Sequence, residues 1–259
     1  MPVLFLGHGS PMNAIEENQF VQGFRDIEKE IPRPRAILCI SAHWFIKGTK
    51  VTAMALPKTI HDFYGFPHEL YHIKYPAKGN PELANKVKDL LSPYEVELDY
   101  DWGIDHGAWS VIKHLYPNAD IPLIQLSIDI SKDAQSHFEM AAKLSSLRDE
   151  GVLIIGSGNI VHNLSMVDYD NFSKDNYGFE WAKEVRERVN SCLLNNDFTP
   201  LIEYQKESKA FSMAIPTPEH YLPLIYIIAQ KQEGENIRLF NDKMVAGSLS
   251  MTSLIISFR

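Results

Sequence analysis

Val3-Leu4-Phe5-Leu6-Gly7-His8-Gly9-Ser10-Pro11 decides how the rest of the chain reads. Its apolar opening has no polar interruption, which suits a strand buried on both faces. Two glycines and a proline then stop the run, and His8 stands between the glycines. A histidine held there is poorly placed for packing and well placed to face a crevice at the edge of a sheet. The same grammar recurs twice. Ala36-Ile37-Leu38-Cys39-Ile40 runs into Ser41-Ala42-His43-Trp44, and Val152-Leu153-Ile154-Ile155 runs into Gly156-Ser157-Gly158-Asn159 with His162 just beyond. In open α/β sheets that edge is where ligands bind.

Between these strands the apolar spacing predicts helices. Phe20, Phe24, Ile27 and Ile31 recur at helical intervals until Pro32 and Pro34 end them. Further helices are expected over 81–91 (proline in the first turn), 108–115, 132–147 (ended by Gly151), 179–194 and 219–229, with 201–213 helical or mixed. Strands are expected over 51–55, around Val96 and Leu98, over 121–128, and in 237–240 and 248–258. Residues 56–79 form a long loop rich in Pro, Gly, His and aromatics, of the length that is functional or mobile in compact domains. Residues 168–178 read as a surface loop, and Gly156-Ser157-Gly158-Asn159 as a tight turn. No repeat, linker or composition break divides the chain. Strands alternating with helices predict α/β: one three-layer αβα domain over 1–259 around a central mixed, largely parallel sheet.

The net charge of -8, with no run of Lys or Arg, argues against nucleic acid and against a basic membrane-binding face. No apolar stretch reaches the roughly 20 residues a bilayer span needs, and without a charged segment ahead of the first apolar run no signal peptide is expected there. The two cysteines, Cys39 and Cys192, offer no disulfide framework and suit a reducing compartment, so a cytoplasmic protein is expected. The expected partner is a small molecule, and the expected state a monomer.

The chemistry lies in the histidines. Taken singly, each of the 10 reads as a capping or hydrogen-bonded core residue. His8, His43 and His162 at equivalent strand ends, with His220 where an extended Pro-rich segment enters a helix, read together as a metal site. Neutral imidazole is the commonest protein ligand for first-row metals, which want three or four such groups. There is no His-Glu-x-x-His helix and no paired Cys-x-x-Cys, so the ligands come from distant segments. The pattern of a P-loop is missing, as is the Gly-x-Ser-x-Gly elbow of a serine hydrolase.

Gly7-His8-Gly9-Ser10-Pro11, Ser41-Ala42-His43-Trp44, Asp105-His106-Gly107, Val161-His162-Asn163 and Pro216-Thr217-Pro218-Glu219-His220 occur in that order. Together they resemble the class III extradiol ring-cleavage dioxygenases, and within them the DOPA 4,5-dioxygenases of plants and their bacterial relatives. The likeness runs from residue 3 to the C-terminal strand. It implies one α/β domain, a single non-haem divalent metal and a cleft for a catechol, with L-DOPA the substrate and dioxygen the co-substrate. By motif, His8 and His43 match the metal ligands and His162 the acid/base catalyst. The third ligand is expected to be His220, with Glu219 the alternative. His162 could also close on the metal, a four-histidine set that zinc would favour; Fe(II) is expected for catalysis.

His106 is expected to contact substrate, with Asp105 orienting its surroundings, against the plainer reading of a turn and a helix cap. His61, in His61-Asp62-Phe63-Tyr64-Gly65-Phe66-Pro67, is expected to touch substrate from a lid of aromatics. His68, His72, His114 and His137 read as surface or packing residues. Two other readings compete: a zinc hydrolase on the same histidines, for which Glu219 is the candidate base, and a binding protein of this fold without catalysis.

Overall fold

In the computed structural model, which describes residues 1–258, the opening run is strand β1, Val3–Gly7, buried along its length. Helix α1 (Gln19–Glu28) follows, its first turn capped by the Asn18 side chain. Next come β2 (Ala36–Ile46), β3 (Thr49–Thr52), α2 (Pro81–Leu90), β4 (Val96–Asp99), α3 (His106–Leu115) and β5 (Leu123–Asp129). The rest runs α4 (Ala134–Ala142), β6 (Val152–Gly158), α5 (Glu180–Leu194), α6 (Thr199–Ile202), α7 (Lys209–Ala214) and α8 (Leu222–Ile228). It closes with β7 (Asn236–Phe240), β8 (Met244–Val245), β9 (Leu249–Ser250) and β10 (Ser253–Ser257).

Eight strands form one sheet in the order β4-β3-β5-β2-β6-β1-β10-β7, while β8 and β9 pair apart from it. β5, β2, β6 and β1 lie side by side and parallel, and β10 and β7 extend the sheet antiparallel. The expected mixed, largely parallel α/β sheet is the one found. Side chains alternate across it. Val3 and Phe5 of β1 pack into a core with Val185 of α5 and Leu224 of α8. Leu4 and Leu6 pack on the other face with Phe24 of α1 and Trp109 of α3. Fully burying each such side chain contributes roughly 1.5–3 kcal/mol. The inner strands are thereby buried on both faces over most of their length, and the loops beyond their edge have a fixed base.

Several local expectations change. β2 does not stop before His43 but runs through it to Ile46. Ile40 pairs with Leu126 and Phe45 with Ile128, so the chain of β2 bulges between these pairs and carries His43 on the bulge. Residues 156–158 belong to β6 and are not a turn. The helix expected over 132–147 ends at Ala142 and resumes as a 3-10 turn, Ser145–Arg148. That tightening turns Leu147 and Arg148 inward together, and the Arg148 guanidinium pairs with Glu235 in the interior. The last helix starts at Leu222, because the chain first turns on Pro218, whose carbonyl accepts from the backbone of Tyr221 and Leu222. No helix of the described residues is long and apolar enough to cross a membrane.

Candidate metal centre and cleft

Because β2, β6 and β1 are parallel neighbours, their C-terminal ends fall together at one edge of the sheet. His8 extends the ladder by one bond, its backbone N–H donating to the Gly158 carbonyl (3.1 Å). Gly9 then takes a positive φ of 59°, which turns the chain away at once. His220 arrives from the other side. Its carbonyl accepts from Asn159 N–H (2.8 Å), and the backbone comes so close to β6 that a Cβ on Gly158 would lie 2.2 Å from that oxygen. Glycine at 158 is what lets the His220 turn sit against the strand.

The result is a near-equilateral triangle of imidazoles. Ring centroids are 5.2 Å apart for His8 and His43, and 5.3 Å for each of these with His220. Each offers one ligand atom, all within 4.8 Å of one another. Their outer nitrogens share one arrangement. Ser157 Oγ donates to the Gly107 carbonyl, so towards His8 Nδ1 (3.0 Å) it accepts, which puts the proton of His8 on Nδ1. His43 Nδ1 lies 3.0 Å from Asp62 Oδ2, and His220 Nδ1 lies 3.2 Å from Glu219 Oε1. Three acceptors on three Nδ1 atoms leave three unprotonated Nε2 atoms. Buried His43 Nε2 has no hydrogen-bond partner. An orphaned buried nitrogen beside two further imidazoles fits a metal ion, with outer partners that fix tautomer and ring orientation. Burial, then the neighbouring imidazoles, pushes His8 and His220 well below the ordinary histidine value, as metal binding needs.

Asp62 also holds His106, whose Nδ1 lies 2.9 Å from Oδ1 and whose backbone N–H donates to the same oxygen (3.0 Å). Burial pushes the Asp62 carboxyl up, but the imidazoles of His106 and His43 outweigh it and hold it well below the usual carboxylate range. His43, Asp62 and His106 form a second cluster with ligand atoms within 4.8 Å. His162 stands apart from both. It stacks on His220, centroids 3.6 Å apart and planes 7° from parallel, and burial lowers it to about 4. The five histidines and Asp62 floor a cleft of about 420 Å³ walled by aromatic and aliphatic side chains.

Neither His61, expected to touch substrate, nor Asp105, expected to orient the surroundings of His106, lines this cleft. His61 turns away, its Nε2 2.9 Å from the Ile73 carbonyl and its ring against Trp109 and Phe63. In extended chain, adjacent side chains point to opposite sides, and here the inward one is Asp62. Asp105 is fully buried. It caps α3 through Ala108 N–H and accepts from Ser41 Oγ and Gln125 Nε2, so it fixes the start of the helix that presents His106. Glu219 also stays outside the triangle, bound by Thr217 Oγ1 and His220.

Residues without a role in the sequence reading complete the site. Ser157 orients His8, and the cleft is walled by Leu164 and Val167 together with Tyr169 and Phe172 from the segment that reads as surface loop. Of the three aromatics in that polar loop, Tyr169 and Phe172 face the cleft, and they are the available signal. Of the remaining histidines, His68 and His72 are exposed. His114 and His137 are buried, on the Asn13 carbonyl and the Tyr226 hydroxyl.

Fold and cleft together define an α/β protein with a histidine cluster able to hold a metal ion at the floor of an aromatic-walled pocket. Residues 2–241 match the family described as the catalytic LigB subunit of aromatic ring-opening dioxygenase, and the chain belongs to that family. It is 47% identical to the 4,5-DOPA dioxygenase extradiol of Escherichia coli K12, over 99% of this chain and 94% of that protein. The protein of the same name from Beta vulgaris is 35% identical, over 96% of this chain and 94% of that one. A crystal structure of an uncharacterized protein from Escherichia coli K12 superposes with a TM-score of 0.86 at 43% identity, covering 99% of this chain and 100% of that one. The chain is therefore an oxidoreductase, an extradiol ring-cleaving dioxygenase.

Proposed function

We propose that the enzyme opens the ring of a catechol, with L-DOPA the first substrate to try and 4,5-cleavage to a seco-DOPA semialdehyde the expected reaction. In this reading His8, His43 and His220 hold one ferrous ion, and residues 1–259 work as one catalytic domain, a monomer in the cytoplasm. The buried free thiols Cys39 and Cys192 suit such a reducing compartment. The observation that carries the reading is the triangle of imidazoles with His162 stacked on its edge. A ferrous ion would supply the redox-active centre at which a catechol and dioxygen can react.

The protein's own groups divide the remaining work. Ser157, Asp62 and Glu219 hold the three ligand rings in the tautomer that leaves Nε2 free. Phe63 and Phe66 offer flat walls to a planar ring and exclude water from it. His162, kept neutral near pH 7 by burial, takes a proton from a catechol hydroxyl and returns it as the ring opens. Both atoms of dioxygen enter the product. A zinc hydrolase would need a free carboxylate base, and Glu219 is already engaged by Thr217 and His220.

Anaerobic loading with ferrous iron, followed by L-DOPA and air, should give a yellow product with matching oxygen uptake. No uptake with any catechol would sink the reading. His162→Ala should abolish turnover yet keep most metal binding, whereas His8→Ala should lose the metal. Equal metal loss in both variants would make His162 a ligand.

A further inference from the structure

A second hollow of about 340 Å³ adjoins the cleft and shares Gly9, Ser10, Phe172 and Leu249 with it. Most polar side chains of this hollow are already engaged. Asp175 accepts from Gln19 Nε2 (2.9 Å) and pairs with Lys243 Nζ (2.8 Å). Asn18 caps α1 and donates to Asn13 Oδ1, and Asn176 Oδ1 accepts from Met244 N–H. Two opposite charges are left. The Glu16 carboxylate lines the hollow with no hydrogen bond or ion pair among the described residues, and it does not pair with Lys174. The Lys174 ammonium lies over the face of the Tyr177 ring, 4.8 Å from its centroid, a contact that leaves its N–H groups free to donate. Where hollow and cleft meet, Ser10 Oγ accepts from Met12 N–H (3.2 Å) and keeps its own proton for a ligand. We propose that this hollow is the subsite for a zwitterionic 2-amino-acid end on the substrate, with Lys174 taking its carboxylate and Glu16 its ammonium. The inference rests on the catechol reading above and assigns the residues that recognise the rest of the molecule.

The shape and charge of such a ligand match this layout. In L-DOPA the side chain stands para to one hydroxyl and meta to the other. With both oxygens on the imidazole floor, the amino-acid end must therefore point away from it. Phe172, exposed and common to both hollows, lies along that way out. Near neutral pH that end carries one charge of each sign. A hollow with free charge of one sign would attract one group and repel the other, whereas one free charge of each sign suits both. Glu16 and Lys174 are exposed, so neither group of the ligand has to give up all its water. Each contact should then contribute roughly threefold to fivefold in affinity, the upper reach of a surface ion pair.

Zinc-loaded protein separates recognition from turnover, since zinc does not change oxidation state. Calorimetric titration compares L-DOPA with dopamine, which lacks the carboxylate, and with 3-(3,4-dihydroxyphenyl)propanoate, which lacks the ammonium. Ratios between ligands cancel any general damage to the cleft. Lys174→Ala should lower the ratio of L-DOPA to dopamine affinity at least threefold, and Lys174→Arg should restore it. Glu16→Gln should lower the ratio of L-DOPA to the propanoate at least threefold. Lys174→Glu should shift preference from the propanoate to dopamine at least fivefold. Smaller changes in any of these ratios, or no recovery with arginine, would overturn the assignment. Titration with 4-methylcatechol, which has neither charge, tests the reading beneath it. If 4-methylcatechol binds while the ratios stay flat, the subsite alone is wrong. If 4-methylcatechol does not bind, the catechol reading fails and takes the subsite with it.

Discussion

Gly158→Ala is the sharpest test of how backbone packing builds the metal site. The new Cβ would lie 2.2 Å from the His220 carbonyl oxygen and 3.1 Å from both its carbonyl carbon and Pro223 Cγ. Ordinary contact begins near 3.4 Å, so the His220 backbone must retreat by about 1 Å. Metal–nitrogen bonds tolerate only about 0.2 Å. His220 would leave the triangle, and the bond from Asn159 N–H to its carbonyl would break with it. Losing an outer hydrogen bond costs roughly 10–100-fold in metal affinity, and losing a ligand should cost at least the upper figure. Overpacking should also lower the stability of the metal-free protein by about 1–3 kcal/mol, several degrees in melting temperature. Competition with a chromophoric chelator reads zinc affinity, and thermal unfolding reads the second effect. His220→Ala is the reference, with the same loss of metal and no backbone clash. Zinc binding by Gly158→Ala within threefold of the parent would refute the positioning argument. If His220→Ala also held zinc normally, the ligand assignment itself would be wrong.

Asp62→Asn keeps the shape of the residue but removes the charge that faces His43 and His106. Metal affinity should fall roughly 10–100-fold by the same chelator competition, and an unchanged value would show that His43 needs no such partner. His137 gives a pH test far from the cleft. Burial pushes it down to about 4, against about 6.5 for an unfolded histidine. Between those values the unfolded chain binds a proton that the folded chain refuses. The stability is therefore fully present above pH 6.5 and is lost as the pH falls towards 4, by up to about 3 kcal/mol from this residue. Urea unfolding of metal-free protein at pH 7 and pH 5 should show the drop, and His137→Phe should reduce it. Equal drops in both proteins would remove His137 as a cause.

What the sequence made legible follows from what each feature depends on. Runs such as Val3 to Leu6 and Val152 to Ile155 carry their own signal, because a strand buried on both faces must be apolar throughout. His8 and His162 stand out because punctuation follows those runs. The bulge that carries His43 was invisible, since it exists only in the pairing of β2 with β5. His61 and Asp62 could not be told apart for a similar reason. Which one faces the cleft depends on the bridge between Thr59 and Ile104, a contact across distant sequence. The apolar spacing predicts too long an α4 because Leu144 and Leu147 are buried whether the chain is α-helical or 3-10 there. Asp105 looked functional beside His106, but its bonds to Ser41 and Gln125 come from two strands the motif does not mention.

The charge of the floor ties ligand choice to substrate choice. Three imidazole ligands would leave a bound divalent ion its full charge, which Asp62 and Glu219, each on the outer nitrogen of one ring, would offset only from outside the triangle. An ionised catechol oxygen about 4 Å from one net positive charge would gain about 4 kcal/mol at an effective dielectric of 20. The chain's overall charge of -8 acts against any anion, but screening confines that repulsion to about 8 Å at physiological salt. Attraction for an ionised catechol would thus be concentrated at the floor of the cleft. Had Glu219 and not His220 turned inward, its carboxylate would have lain directly on the ion and weakened that attraction further. In the proposed reading, the Glu219 carboxylate bound between Thr217 and His220 would therefore favour a catechol more than it would as a ligand. It supports the ligand beside it and keeps its own charge outside the triangle.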